Sequence, residues 1–238
     1  MCGGVQPVPT SDIAMQVRIP KVLTEEQAAQ CRALLASADW VEGSTTAAPL
    51  TKRVKDNAQL PEGHPVARRL GEMISKALNQ NETFLMAALP LRMVVPMFNR
   101  YAGGQSYGDH VDATLRHVSG TIDRIRADLS ATLFLTPPDE YDGGELVIKG
   151  SPGGFKLPAG DMLLYPTTSI HHVTPVTRGV RLASFFWIQS MVRDDHKREV
   201  LFELDSAMQK FSRDMPDNPA VVQLNGVYYN LMRMWTET

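Results

Sequence analysis

The chain has 238 residues, 43% hydrophobic and 21% charged, with a formal net charge of -2 at pH 7. This length fits one large domain or a domain with an appended helical segment, and the near-neutral charge gives no overall pull toward nucleic acid or an anionic membrane. Its only cysteines, Cys2 and Cys31, exclude a disulfide framework and fit a reduced, cytoplasmic protein.

Residues 1–14 read as a flexible leader, without the basic and apolar regions of a signal peptide. Gln16 to Pro20 reads as a short strand. Thr24-Glu25-Glu26-Gln27 is a capping-box pattern, and Ala28, Cys31, Leu34 and Leu35 continue it at helical spacing to about Ser37. Trp40-Val41-Glu42 reads as a strand, and Gly43 to Leu50 is irregular. A second helix is expected from Pro65 to Asn79, with Val66, Leu70, Met73 and Ile74 on its apolar face. From Leu91 the pattern turns to strands: Met93–Tyr101, Tyr107–Asp112, Asp128–Leu135, Glu145–Lys149, Phe155–Leu157, Asp161–Tyr165, His172–Thr177 and Arg181–Ser190. Thr114 to Ile125 reads as a loop or a short helical turn, and Asp142-Gly143-Gly144 as a turn. Many short strands punctuated by Gly and Pro predict a double-sheet roll in an α+β protein. Beyond Ser190, Val200, Leu204, Met208 and Phe211 mark an amphipathic helix, and Pro219 to Trp235 a final one. The division is therefore leader 1–14, roll 15–190 and helical segment 191–238. That last segment either packs on the roll or mediates a homodimer. No run approaches the ~18 apolar residues of a membrane span.

The chemistry is carried by His110-Val111-Asp112, His171 and Arg181. On an extended strand, residues two apart share a face, so His110 and Asp112 present an imidazole and a carboxylate together. A second imidazole from a distant strand completes two histidines and one carboxylate on one side of a metal, the pattern of non-heme Fe(II) oxygenases. Alone, His-x-Asp also fits a loop carboxylate beside a core histidine. Adjacent His171 and His172 point to opposite faces of a strand, so parity admits only one of them to the metal. Arg181 follows His171 by ten positions and offers paired donors that stay charged.

These motifs resemble the Fe(II)/2-oxoglutarate-dependent dioxygenases, and more narrowly the bacterial PKHD-type (prolyl/lysyl-hydroxylase-like domain) hydroxylases. The resemblance is carried by Tyr107-Gly108-Asp109-His110-Val111-Asp112, Asp142-Gly143-Gly144-Glu145-Leu146, His171 with Val173-Thr174-Pro175-Val176, and Arg181 before Phe186-Trp187. It extends to Val54-Lys55-Asp56-Asn57 and the helical tail. It implies a double-stranded β-helix (jelly-roll) core with flanking helices, with iron on His110, Asp112 and, by the ten-residue spacing to Arg181, His171, while His172 faces outward or toward the substrate mouth. It further implies Arg181 on the distal carboxylate of 2-oxoglutarate, O2 as co-substrate and L-ascorbate as reductant. The implied reaction is hydroxylation of a C–H bond in an unknown small-molecule or peptide substrate, with release of succinate and CO2. An intact carboxylate at Asp112 argues against a halogenase. A non-catalytic metal or 2-oxoglutarate sensor on the same roll is the alternative. Tyr101 either donates its hydroxyl to 2-oxoglutarate or is core; Trp187, sharing parity with Arg181, Ala183 and Phe185, either walls the site or is core. Arg116 and His117 either meet an acidic substrate or are exposed loop polarity, and the Arg193–Arg198 run reads as a solvated helix start.

Overall fold

The computed structural model describes residues 15–46, 52–118 and 120–237. The expected leader, Cys2 within it, and residues 47–50 of the irregular segment lie outside the described residues.

Strand β1 (Val17–Ile19) leads into α1 (Glu25–Ala36). The capping box forms: Thr24 Oγ1 accepts from the Gln27 N–H at 3.1 Å, and Gln27 Oε1 accepts from the Thr24 N–H at 2.9 Å. After β2 (Val41–Glu42), β3 (Lys55–Asp56) and β4 (Ala58–Gln59), helix α2 (Pro65–Leu78) starts on Pro65 and is capped by the His64 ring, which accepts from the Val66 N–H. It buries Ala67, Leu70, Gly71, Ile74 and Leu78 on one face. A third helix, α3 (Glu82–Ala88), is an element the hydrophobic periodicity did not reveal; Asn81 caps it through the Phe84 N–H at 2.9 Å. Seven residues give a periodic pattern too little length.

The expected strand Met93–Tyr101 is two strands, β5 (Pro90–Met93) and β6 (Met97–Ala102). Met97 faces Phe185 and Met93 faces Ile188, so this stretch carries one residue more than its partner, a bulge around Pro96, which has no N–H for the ladder. Strand β7 (Ser106–His110) follows. The region 114–125 is then a hairpin, β8 (Leu115–His117) against β9 (Arg124–Arg126), where a loop or helical turn was expected. Each strand is only three residues long, too short for either period to show in the sequence. The remaining strands are β10 (Leu129–Phe134), β11 (Asp142–Gly143), β12 (Leu146–Ile148), β13 (Gly154–Phe155), β14 (Met162–Pro166), β15 (His171–Val173), β16 (Val176–Arg178) and β17 (Val180–Ser190). The stretch expected as one strand, His172–Thr177, is thus two, β15 and β16.

The major antiparallel sheet runs β1-β14-β10-β17-β6-β4-β2, with β5 also on β17; the minor sheet runs β13-β12-β15-β7-β3. Alternation divides the major sheet cleanly. Leu129, Ala131, Leu133, Met162, Leu164, Leu182, Phe186 and Ile188 point out to α1, α2 and α3 and form the larger core. Tyr101, Phe134, Leu163 and Tyr165 point in and pack with Leu146, Ile148, Val173 and Val176 of the opposite wall. This is the double-stranded β-helix expected from the motifs, and the site lies between its two sheets.

Helices α4 (Asp195–Asp214) and α5 (Ala220–Trp235) follow β17. They pack on the roll through Leu201 against Leu89 and Val192, with Tyr228, Leu231, Met232 and Trp235 around them. Arg198 corrects the expectation of a solvated helix start. It is 1% exposed, and its Nη1 donates to the carbonyls of Val192 and Arg193 at 2.6 and 2.8 Å while Nη2 pairs with Asp195. No helix among the described residues is long and apolar enough to cross a membrane.

Candidate active site

His110 ends β7, and β15 pairs beside it with His171 directly opposite. Cross-strand pairing therefore brings together two histidines 61 positions apart. Asp112 departs from the strand-parity expectation: β7 stops at His110, and Asp112 lies in the following non-strand segment. Its carboxylate is positioned by Ser130 of β10, whose hydroxyl donates to Oδ2 at 2.8 Å and also contacts the Thr167 hydroxyl at 3.0 Å. The outcome is still convergence. His110 Nε2 lies 3.9 Å from Asp112 Oδ1 and His171 Nε2 lies 3.7 Å from Oδ2, and the three ligand atoms fall within 4.8 Å of one another.

The ring nitrogens are oriented for this. His110 Nδ1 bonds the Gly108 carbonyl at 2.8 Å and His171 Nδ1 the Ser169 carbonyl at 3.0 Å. A carbonyl only accepts, so each Nδ1 carries the proton and each Nε2 keeps its lone pair for a metal. Tyr107 stacks on His110 with ring centroids 3.7 Å apart, and Tyr165 meets His171 edge-on at 5.1 Å. Burial, then the His171 ring beside it, pushes the His110 imidazole down to about 4, so it is neutral at physiological pH. Burial alone would raise the Asp112 carboxyl, but His171, the Trp187 indole, His110 and Ser130 hold it below the usual range. The donor set is thus two imidazoles and one carboxylate, which fits Fe(II). His172 takes the other face: its Nδ1 pairs with Asp109 at 2.7 Å near the surface.

A cavity of about 250 Å³ extends from the triad to Arg181. Arg181 is 1% exposed, yet none of its three nitrogens has a hydrogen-bond partner among the described residues. The Tyr141 hydroxyl lies beside it and interacts with the guanidinium, though without full hydrogen-bond geometry among the described residues. Tyr101, opposite Arg181 on β6, and Phe134 each hold a ring 5.3 Å from the guanidinium carbon. Burial pushes the Tyr101 phenol up to about 12, against the pull of Arg181, so it stays protonated. Gly144 lies so close that a Cβ there would meet Arg181 Cδ at 2.9 Å, and its φ of +64° also favours glycine. A buried cation lacking partners is costly, and these nitrogens match the distal carboxylate of a 2-oxo diacid.

Trp187 also lines this cavity, and Arg116 of the hairpin lies over its ring, 3.2 Å from the centroid. Arg116 is thus part of the cavity wall, whereas His117 is exposed. Motif reading did not single out Ser130, Thr132 and Lys55 as cavity residues. Ser130 and Thr132 alternate with Leu129, Ala131 and Leu133, and that pair of small polar residues on the inward parity was their signal.

Comparison with known proteins agrees with this geometry. Residues 96–189 match the 2OG-Fe(II) oxygenase superfamily, and residues 195–237 match the PKHD-type hydroxylase C-terminal domain. A PKHD-type hydroxylase of Methylobacillus flagellatus is 53% identical over 227 residues, covering 94% of this chain and 100% of that one. One from Burkholderia thailandensis is 54% identical over 226 residues with the same coverage, and one from Bordetella pertussis is 52% identical over 225. Among solved structures, the non-heme α-ketoglutarate-dependent epimerase SnoN from nogalamycin biosynthesis has a TM-score of 0.51 at 16% identity, covering 75% of this chain and 80% of that one, a likeness of fold. The chain is an enzyme of the 2-oxoglutarate-dependent dioxygenase class. Within that class it belongs to the PKHD-type hydroxylase family.

Proposed function

We propose that His110, Asp112 and His171 hold Fe(II), and that Arg181 binds the distal carboxylate of 2-oxoglutarate with Tyr101 beside it. The enzyme then hydroxylates a C–H bond of a small-molecule or peptide substrate, releasing succinate and CO2. The observation that carries this reading is that a triad of convergent ligand atoms and an unpaired buried arginine share one cavity. Bound Fe(II) supplies activation of O2, coupled to oxidative decarboxylation of the oxo acid. The chain's own residues do the rest. The Gly108 and Ser169 carbonyls fix the imidazole tautomers, and Ser130 orients the carboxylate. Arg181 sets the direction of the diacid, and the rings of Tyr101, Phe134 and Tyr165 keep water from that end. L-Ascorbate serves as the reductant that keeps the iron ferrous.

We further propose that the roll over 15–190 is the catalytic domain, that 191–238 is a helical appendage, and that the protein works in the cytoplasm. The test is purified protein with Fe(II), 2-oxoglutarate and ascorbate, scored for succinate. Slow succinate formation without added substrate is expected, and Asp112→Ala should reduce it to background. Binding of metal and 2-oxoglutarate with no turnover on any cell extract would favour the sensor instead.

A further inference from the structure

The cavity holds more positive charge than the proposed metal and co-substrate need. Fe(II), one carboxylate from Asp112, the dianion of 2-oxoglutarate and Arg181 sum to zero formal charge. Two further cations, Arg116 and Lys55, line the same cavity. Among the described residues the one other carboxylate on its wall is Glu62, which is exposed and acts on Arg116 from the solvent side. Arg116 Nε is buried and has no hydrogen-bond partner among the described residues. Its guanidinium lies on the Trp187 ring, which covers one face and leaves the N–H edge for an in-plane partner. Lys55, on β3 opposite Tyr107, donates to Gln59 Oε1 at 2.9 Å. Burial and then the Arg116 charge bring Lys55 down to about 8, so the two cations act on one another. The Asp112 carboxylate offsets part of this repulsion, and an anion held at the Arg116 edge would offset more of it.

We propose that the primary substrate is an anion, a small molecule bearing a carboxylate or phosphate group, which Arg116 and Lys55 grip at the cavity wall beside the metal triad. This rests on the oxygenase reading of the site and names the substrate class it acts on. Arg116 is the specificity-determining residue: it approaches on the β8–β9 hairpin, and Trp187 holds its plane toward the cavity. A neutral substrate would leave the buried Arg116 Nε without an anionic partner.

The test uses the full chain loaded with Mn(II) and saturating 2-oxoglutarate. It is titrated calorimetrically with inorganic phosphate and with short carboxylic acids, each beside its primary amide. The acids or phosphate should bind roughly tenfold or more tightly than the amides, about 1.4 kcal/mol. That preference should vanish in Arg116→Gln, recover in part in Arg116→Lys and weaken in Lys55→Gln, a variant that leaves the hairpin untouched. Tighter binding of the acids points to an organic-acid substrate, and tighter binding of phosphate to a phosphorylated one; either supports the proposal. In parallel, the compound in a cell extract that gains oxygen on incubation with the enzyme should be retained on an anion exchanger at neutral pH. Equal binding of acid and amide, no anion binding at all, or an oxidised product that is neutral would overturn the proposal. If wild-type protein also fails to bind 2-oxoglutarate, the oxygenase reading fails with it; if 2-oxoglutarate still binds, only the anion site is lost.

Discussion

Two arginines, one inside the roll and one at its junction with the C-terminal helices, are equally buried and differ in how their charge is met. Arg181 and Arg198 are each 1% exposed. Arg198 is tied to the carbonyls of Val192 and Arg193 and to Asp195, closing the start of α4 against the roll. Arg181 has neither carbonyl nor carboxylate for any of its nitrogens. Desolvation penalises both charges, but only one is compensated within the chain. The difference separates a cation that holds the fold together from one whose partner arrives from solution.

The sharpest way to break that contrast is at the metal side of the Arg181 cavity. Asp112→Ala should take Fe(II)-dependent succinate formation to background while Arg198 and its bonds persist, as a melting curve close to wild type would report. Substituting the two arginines alike comes next. Arg198→Met strands buried acceptors and should destabilise the protein by about 1–3 kcal/mol in a denaturant titration. Arg181→Met removes an uncompensated charge and should leave the ligand-free protein as stable as wild type or more so, yet weaken 2-oxoglutarate by one to two orders of magnitude, about 1.5–3 kcal/mol for hydrogen bonds to a charged group. If both variants lose stability equally, the contrast is wrong. Saturation by 2-oxoglutarate sharpens it further: a hundredfold excess over Kd stabilises wild type by about 2.7 kcal/mol, and Arg181→Met should show little of this at the same concentration.

Smaller effects lie around the triad. Ser130→Ala frees the Asp112 carboxylate and should lower metal affinity by about tenfold, toward the weak end of what outer contacts contribute. The pH dependence has a definite sign. The folded-state pKa of His110, about 4, lies below the ordinary 6.5. Between those values the unfolded chain binds the extra proton and the folded one does not. This contribution is therefore complete above about 6.5 and is lost as pH falls toward 4. The metal-free protein should lose stability across that window, and His110→Gln should flatten the profile. An unchanged slope in that variant would move the effect to another group.

Much of this was legible before any coordinates. The capping box of α1, the apolar face of α2 and the opposite facing of His171 and His172 follow from local patterns and periods of 3.6 and 2.0, and the structure has them so; the choice of His171 as the inward one came from its spacing to Arg181, as in the family it resembles. Asp112 was read correctly as a partner of His110 but for an incomplete reason: the strand has already ended, and a hydroxyl from β10 holds the carboxylate. The β8–β9 hairpin was missed because strands of three residues are too short to show a period, and so the choice between Arg116 as a site residue and as loop polarity stayed open. Arg198 looked like surface charge because a run of mixed signs does not say which member folds inward.

The sequence by itself determined what could be written in one strand or one helix: the caps, the alternating faces, and the residue types able to bind iron and a diacid. Only the tertiary structure decided which distant groups meet. His171 stands beside His110 through the β7–β15 register, Arg181 is left without a partner by the strands that enclose it, and Arg116 comes to rest on Trp187. The reason is physical: local periodicity is set by backbone geometry within a few residues. Which side chains gather at the candidate metal site depends on partners 18 and 61 positions apart in this chain, and no local pattern records them.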